Sequence, residues 1–229
     1  MSGIKKVNEN YSCNWIRSGD SGPLLLLAHG AGAPMDSDFM EHLAVRLADA
    51  GVRVWRFEFD YMARRRLGAS RRPPPRVRVL LEEWRHVLRL ASFGEEGVFI
   101  GGKSMGGRLA SLLAAGVGDE AKGLPLSGCL CFGYPFHPPG KPDRWRTDHF
   151  SALTVPTWIA QGERDPFGKR ERVCEHLARG ADTNPALAIE WIPDGNHDLM
   201  PPKRGVATWE SNLDQAARKA AKFMFNNTN

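Results

Sequence analysis

Between Val98 and Ala115 a short apolar run, Val98-Phe99-Ile100, gives way to Gly102-Lys103-Ser104-Met105-Gly106-Gly107, and then to a helical pattern that Gly116 closes. Nothing else in the chain constrains its fold as tightly. A G-x-S-x-G pattern where a strand must become a helix sets a serine on a turn too sharp for side chains at Gly102 and Gly106. The residue at the apex sits in strained backbone, and its hydroxyl is lifted clear of the sheet. Ser104 is therefore the candidate nucleophile. Met105 opens the helix, where the first N–H groups have no intrahelical partners, so its N–H is a candidate donor to a developing oxyanion.

Around this turn, short apolar runs alternate with longer amphipathic ones. Strands are expected at Leu24–Ala28, Val52–Phe57, Val98–Ile100, Leu124–Phe132, Pro156–Ala160 and Ala186–Ile192. Helices are expected at Asp38–Ala50, with Asp36, Ser37 or Asp38 as cap, and at Arg76–Leu90, Ser104–Ala115, Gly168–Arg179 and Val206–Phe225. Pro73 to Pro75 precede the second of these, where missing N–H groups cost nothing. Strand and helix in alternation predict an α/β fold, a mostly parallel sheet with helices on both faces. No repeat or low-complexity linker interrupts the 229 residues, which suit one domain spanning 1–229.

Three further segments complete a chemistry. His29-Gly30-Ala31-Gly32 follows the first strand, and a flexible turn there aims a second N–H, that of Ala31, at the same oxyanion. Gln161-Gly162-Glu163-Arg164-Asp165-Pro166 places an acid just past a strand; Asp165 is the candidate and Glu163 its rival. Gly195-Asn196-His197-Asp198 places a histidine in the loop after the last strand. The order Ser104…Asp165…His197 is the one this strand–turn–helix context requires. In that arrangement the histidine is the base and the aspartate holds its tautomer.

The HGAG turn (29–32), the GKSMGG elbow (102–107), the QGERDPFG stretch (161–168) and the GNHDL loop (195–199) resemble the α/β-hydrolase superfamily, and more narrowly its dienelactone-hydrolase-like branch. The FEFDYMARRRLGASRRPPPR segment (57–76) is similar to that of the testis-expressed hydrolase-like proteins and a related histone-acetyltransferase-complex subunit. The resemblance covers nearly the whole chain. It implies an α/β-hydrolase fold and a serine hydrolase acting on a small ester or thioester, without naming the substrate. Many relatives carry His or Tyr before the nucleophile, where this chain has Lys103.

Seven arginines fall between Arg64 and Arg78. A loop leaving the carboxyl end of a parallel strand lies on the active-site side, so Arg64 and Arg65 are candidate anion-binding residues, against the plainer reading of a solvated basic loop. The run lacks interleaved aromatics, which argues against nucleic acid. The interval Gly133–Val155, where hydrolases often insert a cap, is short and broken by four prolines. An open or shallow site is expected there. Tyr134 is a candidate substrate contact, and Phe136, His137 and Trp145 either line the site or pack the connection down.

Composition bounds the rest. With 42% hydrophobic and 25% charged residues, the chain can bury a core without disulfides or metals, and a net charge of +5 is too weak to imply a polyanionic partner. Cys13, Cys129, Cys131 and Cys174 have neither CxxC nor zinc spacing, so free thiols and a reducing, cytoplasmic setting are expected. Cys129 and Cys131 share one strand face and read as core, and His42, His86 and His176 fall in helices as surface or boundary residues. Met1–Tyr11 is polar, without the pattern of a signal peptide, and no apolar run approaches a membrane span. No cofactor and no metal are implied, and the sequence carries no signal for an oligomeric state.

Two rival readings stand beside this one. Gly97 to Ser104 formally matches G-x-x-x-x-G-K-S, the phosphate loop of P-loop NTPases, but its variable residues are the strand itself, not a loop after one. A hydrolase fold used only for interaction is the other, since fold alone does not dictate function.

Overall fold

The computed structural model describes residues 14–117, 125–180 and 182–228. Met1–Tyr11, Cys13 and Leu124, each given a reading above, lie outside them. The elements run β1 (Trp15–Ser18), β2 (Leu24–Ala28), α1 (Asp38–Asp49), β3 (Arg53–Phe57), α2 (Asp60–Arg66), α3 (Val77–Ala91), β4 (Val98–Lys103), α4 (Met105–Ala114), β5 (Leu126–Phe132), β6 (Thr157–Gly162), α5 (Arg170–Ala178), β7 (Leu187–Ile192) and α6 (Trp209–Asn226).

The strands form one seven-stranded sheet in the order β1-β3-β2-β4-β5-β6-β7. All neighbours pair in parallel except β1, which runs antiparallel to β3 at the edge. β2 shows why its sequence is unbroken leucine. Leu24 and Leu26 enter the core on one face with α3 and α4, while Leu25 and Leu27 enter the core on the other with α1 and α6. A strand covered on both faces cannot alternate apolar with polar. The α3 face is filled by Leu80, Leu81, Trp84, Val87 and Leu88, at helical spacing.

Chain direction sets where a site can form. From β2 the chain crosses to β3 on one side, and from β4 to β5 on the other. The crevice between the carboxyl ends of β2 and β4 is thus the topological switch point, where parallel sheets place ligands. Ala28 and Gly102 are register partners there, so the loops after both strands begin side by side.

Every anticipated strand and helix is present, with ends moved by a few residues. Two elements were not anticipated, β1 and α2. The start of the arginine-rich segment is therefore helix rather than loop. Of the cap candidates for α1, Ser37 holds the position without a side-chain bond, and Asp36 is engaged by Arg66. α6 has a full capping box between Thr208 and Ser211. The interval 133–155 carries only one 3-10 turn, Phe150–Ala152.

Candidate active site

At the β4–α4 junction Ser104 adopts φ 51° and ψ −113°, a region that residues other than glycine rarely enter. The strain is held from both sides. Ser104 N–H donates to Phe132 O at 3.0 Å, and Arg108 N–H donates to Ser104 O at 3.0 Å. The flanking glycines are forced by close approach. A Cβ on Gly106 would lie 2.6 Å from both Ala28 O and His29 O, and one on Gly102 would lie 2.7 Å from Ala28 O. The whole of Val98–Lys103 is strand, so no phosphate-cradling loop exists at this point.

Asp165 follows β6 and is fully buried. Its carboxylate accepts three bonds: from Gln161 Nε2 at 2.9 Å, from Phe167 N–H at 2.8 Å, and from His197 Nδ1 at 2.8 Å. His197 Nε2 in turn stands 2.9 Å from Ser104 Oγ. The three side chains arise just past the carboxyl ends of β4, β6 and β7 and meet in one line of hydrogen bonds. Glu163, the rival acid, is occupied elsewhere: Arg170 holds it at 2.5 Å, and it accepts from Asp194 N–H at 3.2 Å.

The loop carrying His197 is pinned. Asn196 Oδ1 accepts from the N–H groups of Asp198 and Met200, at 2.8 and 3.0 Å. Lys103, at the end of β4, donates to His197 O and pairs with Asp198 at 3.2 Å, with its ammonium 4.9 Å from the centre of the Phe39 ring. Burial lowers the Lys103 pKa, and the Asp198 carboxylate opposes that shift. Phe167 packs on the imidazole with ring centres 4.5 Å apart. Sequence reasoning noted Lys103 only as a departure; its contact with the base loop spans 94 residues and had no local signal.

The HGAG turn is braced from behind. Burial lowers the His29 pKa to about 4, so its ring is neutral. Nε2 accepts from Phe59 N–H at 3.2 Å, which leaves the proton on Nδ1, 2.6 Å from Gly30 O. The Tyr61 hydroxyl reaches Ala31 O at 3.0 Å. Gly30 O and Ala31 N–H belong to one trans peptide, so tying the carbonyl back turns the N–H the opposite way. Neither His29 nor Tyr61 was singled out from sequence.

Ser104, His197, Lys103, Ala31 and Gly30 line one cavity of about 300 Å³, with Phe39, Met40 and Phe167 among its walls. Met105 N–H begins α4 directly after Ser104.

The substrate contacts expected outside the motifs are not in this cavity. Tyr134 is fully buried, donates to Arg146 O at 2.8 Å, and packs edge-on against Phe136. It belongs to the core cluster with Phe136 and Phe150. Arg64 is exposed and pairs with Asp60 one helical turn away at 2.8 Å. Arg65 lies over the Tyr61 ring at 5.1 Å and donates to Arg72 O. Both are held by α2, whose formation the loop reading did not foresee. Phe136 and His137 are buried, and Trp145 stacks on His176 at 3.8 Å, so these aromatics pack the connection down. Among the described residues, no group of three His, Cys, Asp or Glu could hold a metal ion.

The model of the alpha/beta hydrolase domain family matches residues 21–225. Among solved structures, a dienelactone hydrolase from Anabaena variabilis superposes with a TM-score of 0.68 at 16% identity, over 95% of this chain and 92% of that one. An alpha-beta serine hydrolase homologue from Coxiella burnetii gives 0.64 at 15% identity, over 92% and 89%. A monoacylglycerol lipase from Paleococcus ferrophilus gives 0.65 at 12% identity, over 95% and 100%. At these identities the structures speak to fold alone.

Proposed function

The chain belongs to the alpha/beta hydrolase family, and from that premise we propose that it is a serine hydrolase that cleaves a small ester or thioester through an acyl-enzyme on Ser104. The observation that carries the reading is the unbroken hydrogen-bonded line from Asp165 through His197 to Ser104, at 2.8 and 2.9 Å. As Ser104 Oγ attacks the substrate carbonyl carbon, His197 Nε2 takes its proton, and the carbonyl oxygen becomes the oxyanion. Met105 and Ala31 N–H groups receive that charge. Asp165 keeps the Nδ1 proton in place and stabilises the imidazolium. The imidazolium then returns the proton to the departing alkoxide or thiolate. Water, deprotonated by the same nitrogen, attacks the acyl carbon and restores Ser104 Oγ–H as the acid leaves.

The cavity favours a small acyl group. Its volume of about 300 Å³ lies at the small end for ligand pockets, and Phe39, Met40 and Phe167 give it apolar walls. The neighbours named as a dienelactone hydrolase, a serine hydrolase homologue and a monoacylglycerol lipase support this reaction class by analogy of fold. Cys129, Cys131 and Cys174 are free thiols, which supports a reducing, cytoplasmic setting. No helix among the described residues is long and apolar enough to cross a membrane. The 57–76 segment supports placement beside the testis-expressed hydrolase-like proteins.

The test is a fluorophosphonate probe, which reports an activated serine without requiring the substrate. Mass spectrometry should locate the adduct on Ser104, and it should vanish in Ser104→Ala and in His197→Ala. Absence of an adduct on folded wild-type protein would reject the enzyme reading in favour of an interaction role.

A further inference from the structure

A second cavity, of about 490 Å³, opens beside α4 and the 133–155 segment, and it shares no lining residue with the Ser104 pocket. Its walls carry four cationic side chains, Arg108, Lys141, Arg144 and Arg146, against one carboxylate, Asp148. Four positive charges less one negative leaves three uncompensated. Six arginines elsewhere, Arg46, Arg53, Arg56, Arg66, Arg170 and Arg172, each meet a carboxylate within 3.0 Å. Among the described residues, none of the four cations in this cavity makes an ion pair. Asp143, which stands close by in the chain, is taken by Arg172.

Two of the unpaired charges, Arg108 and Arg146, are also partly out of water. Arg108 Nε is buried with no hydrogen-bond partner. The Arg146 pKa is lowered, first by burial and then by the charge of Arg108. Burial, with Arg108 beside it, also lowers the His149 pKa to about 4, so that ring is neutral and adds no positive charge to the cavity. Like charges gathered in a partly desolvated cleft repel, and an anion of matching charge removes that repulsion.

The walls are fixed before any ligand arrives. Tyr134 O–H donates to Arg146 O, Arg146 N–H donates to Phe136 O at 2.8 Å, and Trp145 is stacked on His176. A preformed cleft loses little freedom on binding. Guanidinium forks suit phosphoryl oxygens, which accept several charge-assisted bonds at once, whereas a monocarboxylate fills a single fork.

From this geometry we propose that the cavity formed by Arg108, Lys141, Arg144 and Arg146 binds a small molecule bearing phosphoryl groups, at a site distinct from the Ser104 pocket.

The experiment is calorimetric titration of the full chain with inorganic pyrophosphate at fixed ionic strength. Saturable binding to one site is expected. Arg108→Gln with Arg146→Gln should weaken it roughly hundredfold, a factor on the order of ten for each lost charge-assisted bond. Arg64→Gln with Arg65→Gln removes the same charge from α2 and should leave binding unchanged. Circular dichroism of the unliganded variants reports folding. If the half-buried pair, Arg108 and Arg146, does not fold when substituted, Lys141→Gln with Arg144→Gln on the exposed rim must weaken binding at least tenfold on the same reasoning. No saturable binding to wild type would overturn the proposal. So would equal losses from the cavity and α2 variants, the mark of diffuse surface charge.

Discussion

Asp165 decides which nitrogen of His197 carries the proton. Its carboxylate is buried and only accepts, so the Nδ1 facing it must be the donor and Nε2 is left free to take a proton from Ser104. Asp165→Asn keeps the shape and removes that compulsion, since an amide can donate and so favour the opposite tautomer. The variant should fold, yet lose on the order of 10⁴ in kcat/KM toward an activated ester, the scale seen when a triad acid is made neutral. A loss below about tenfold would mean that Asp165 does not orient the base. At this scale the sequence was legible where chemistry sits in short motifs. Ser104, Asp165 and His197 come together as their order suggested. Glu163 could be set aside only when Arg170 was seen to hold it, because residues two apart beside a turn differ by direction, which composition does not encode. Lys103, His29 and Tyr61 each meet a partner 30 to 94 residues away, and those distant contacts left no local trace.

Among the elements, the junction of β4 and α4 carries the least tolerance. Gly106 faces two backbone carbonyl oxygens, Ala28 O and His29 O. Both are backbone atoms, of β2's end and of the turn at 29–32, and neither can swing aside as a side-chain tip would. Gly106→Ala should therefore destabilise the fold by about 3 kcal/mol, the upper end for overpacking, and should shift the urea midpoint down without changing the slope. A midpoint within experimental error of wild type would show that the two loops are not tightly docked. The same junction explains which elements were readable. β2 and β4 are buried on both faces, so Leu24–Ala28 and Val98–Ile100 read as unbroken apolar runs, and α3 shows a clear apolar stripe. β1 is four residues at a sheet edge, three half-exposed and Arg17 exposed, with no alternation to detect. α2 is seven residues with Met62 its one buried side chain, and ion pairs hold it: Asp60 with Arg64, and Glu58 and Asp36 with Arg66. Stability of that kind depends on partners brought in by the fold, and a run of arginines reads as loop without them.

Over the whole molecule, three buried groups set how stability follows pH between about 5 and 6. His29 and His149 protonate near 6.5 in an unfolded chain, but burial lowers both to about 4 in the fold. In that window unfolding takes up a proton at each, so their contribution to stability is lost as pH falls below 6.5. Glu83 runs the other way. Burial raises its pKa from 4.5 to about 7, so the folded carboxyl holds a proton that unfolding releases, and this contribution is lost as pH rises through 7. Two protons taken up less one released leaves a net uptake of about one, and stability should fall by about 1.4 kcal/mol for each pH unit of acidification. Glu83→Gln keeps an acceptor for Asp60 N–H, which the carboxylate now meets at 2.8 Å, but removes the opposing proton. The slope should then steepen to about two protons per molecule. Urea unfolding at several pH values from 5 to 6 reads both slopes, in buffers free of phosphate so that the cationic cavity beside His149 stays unliganded. An unchanged slope in Glu83→Gln would show that this carboxyl does not titrate above its ordinary range, and a wild-type slope of opposite sign would mean that the two histidines are not held neutral by the fold.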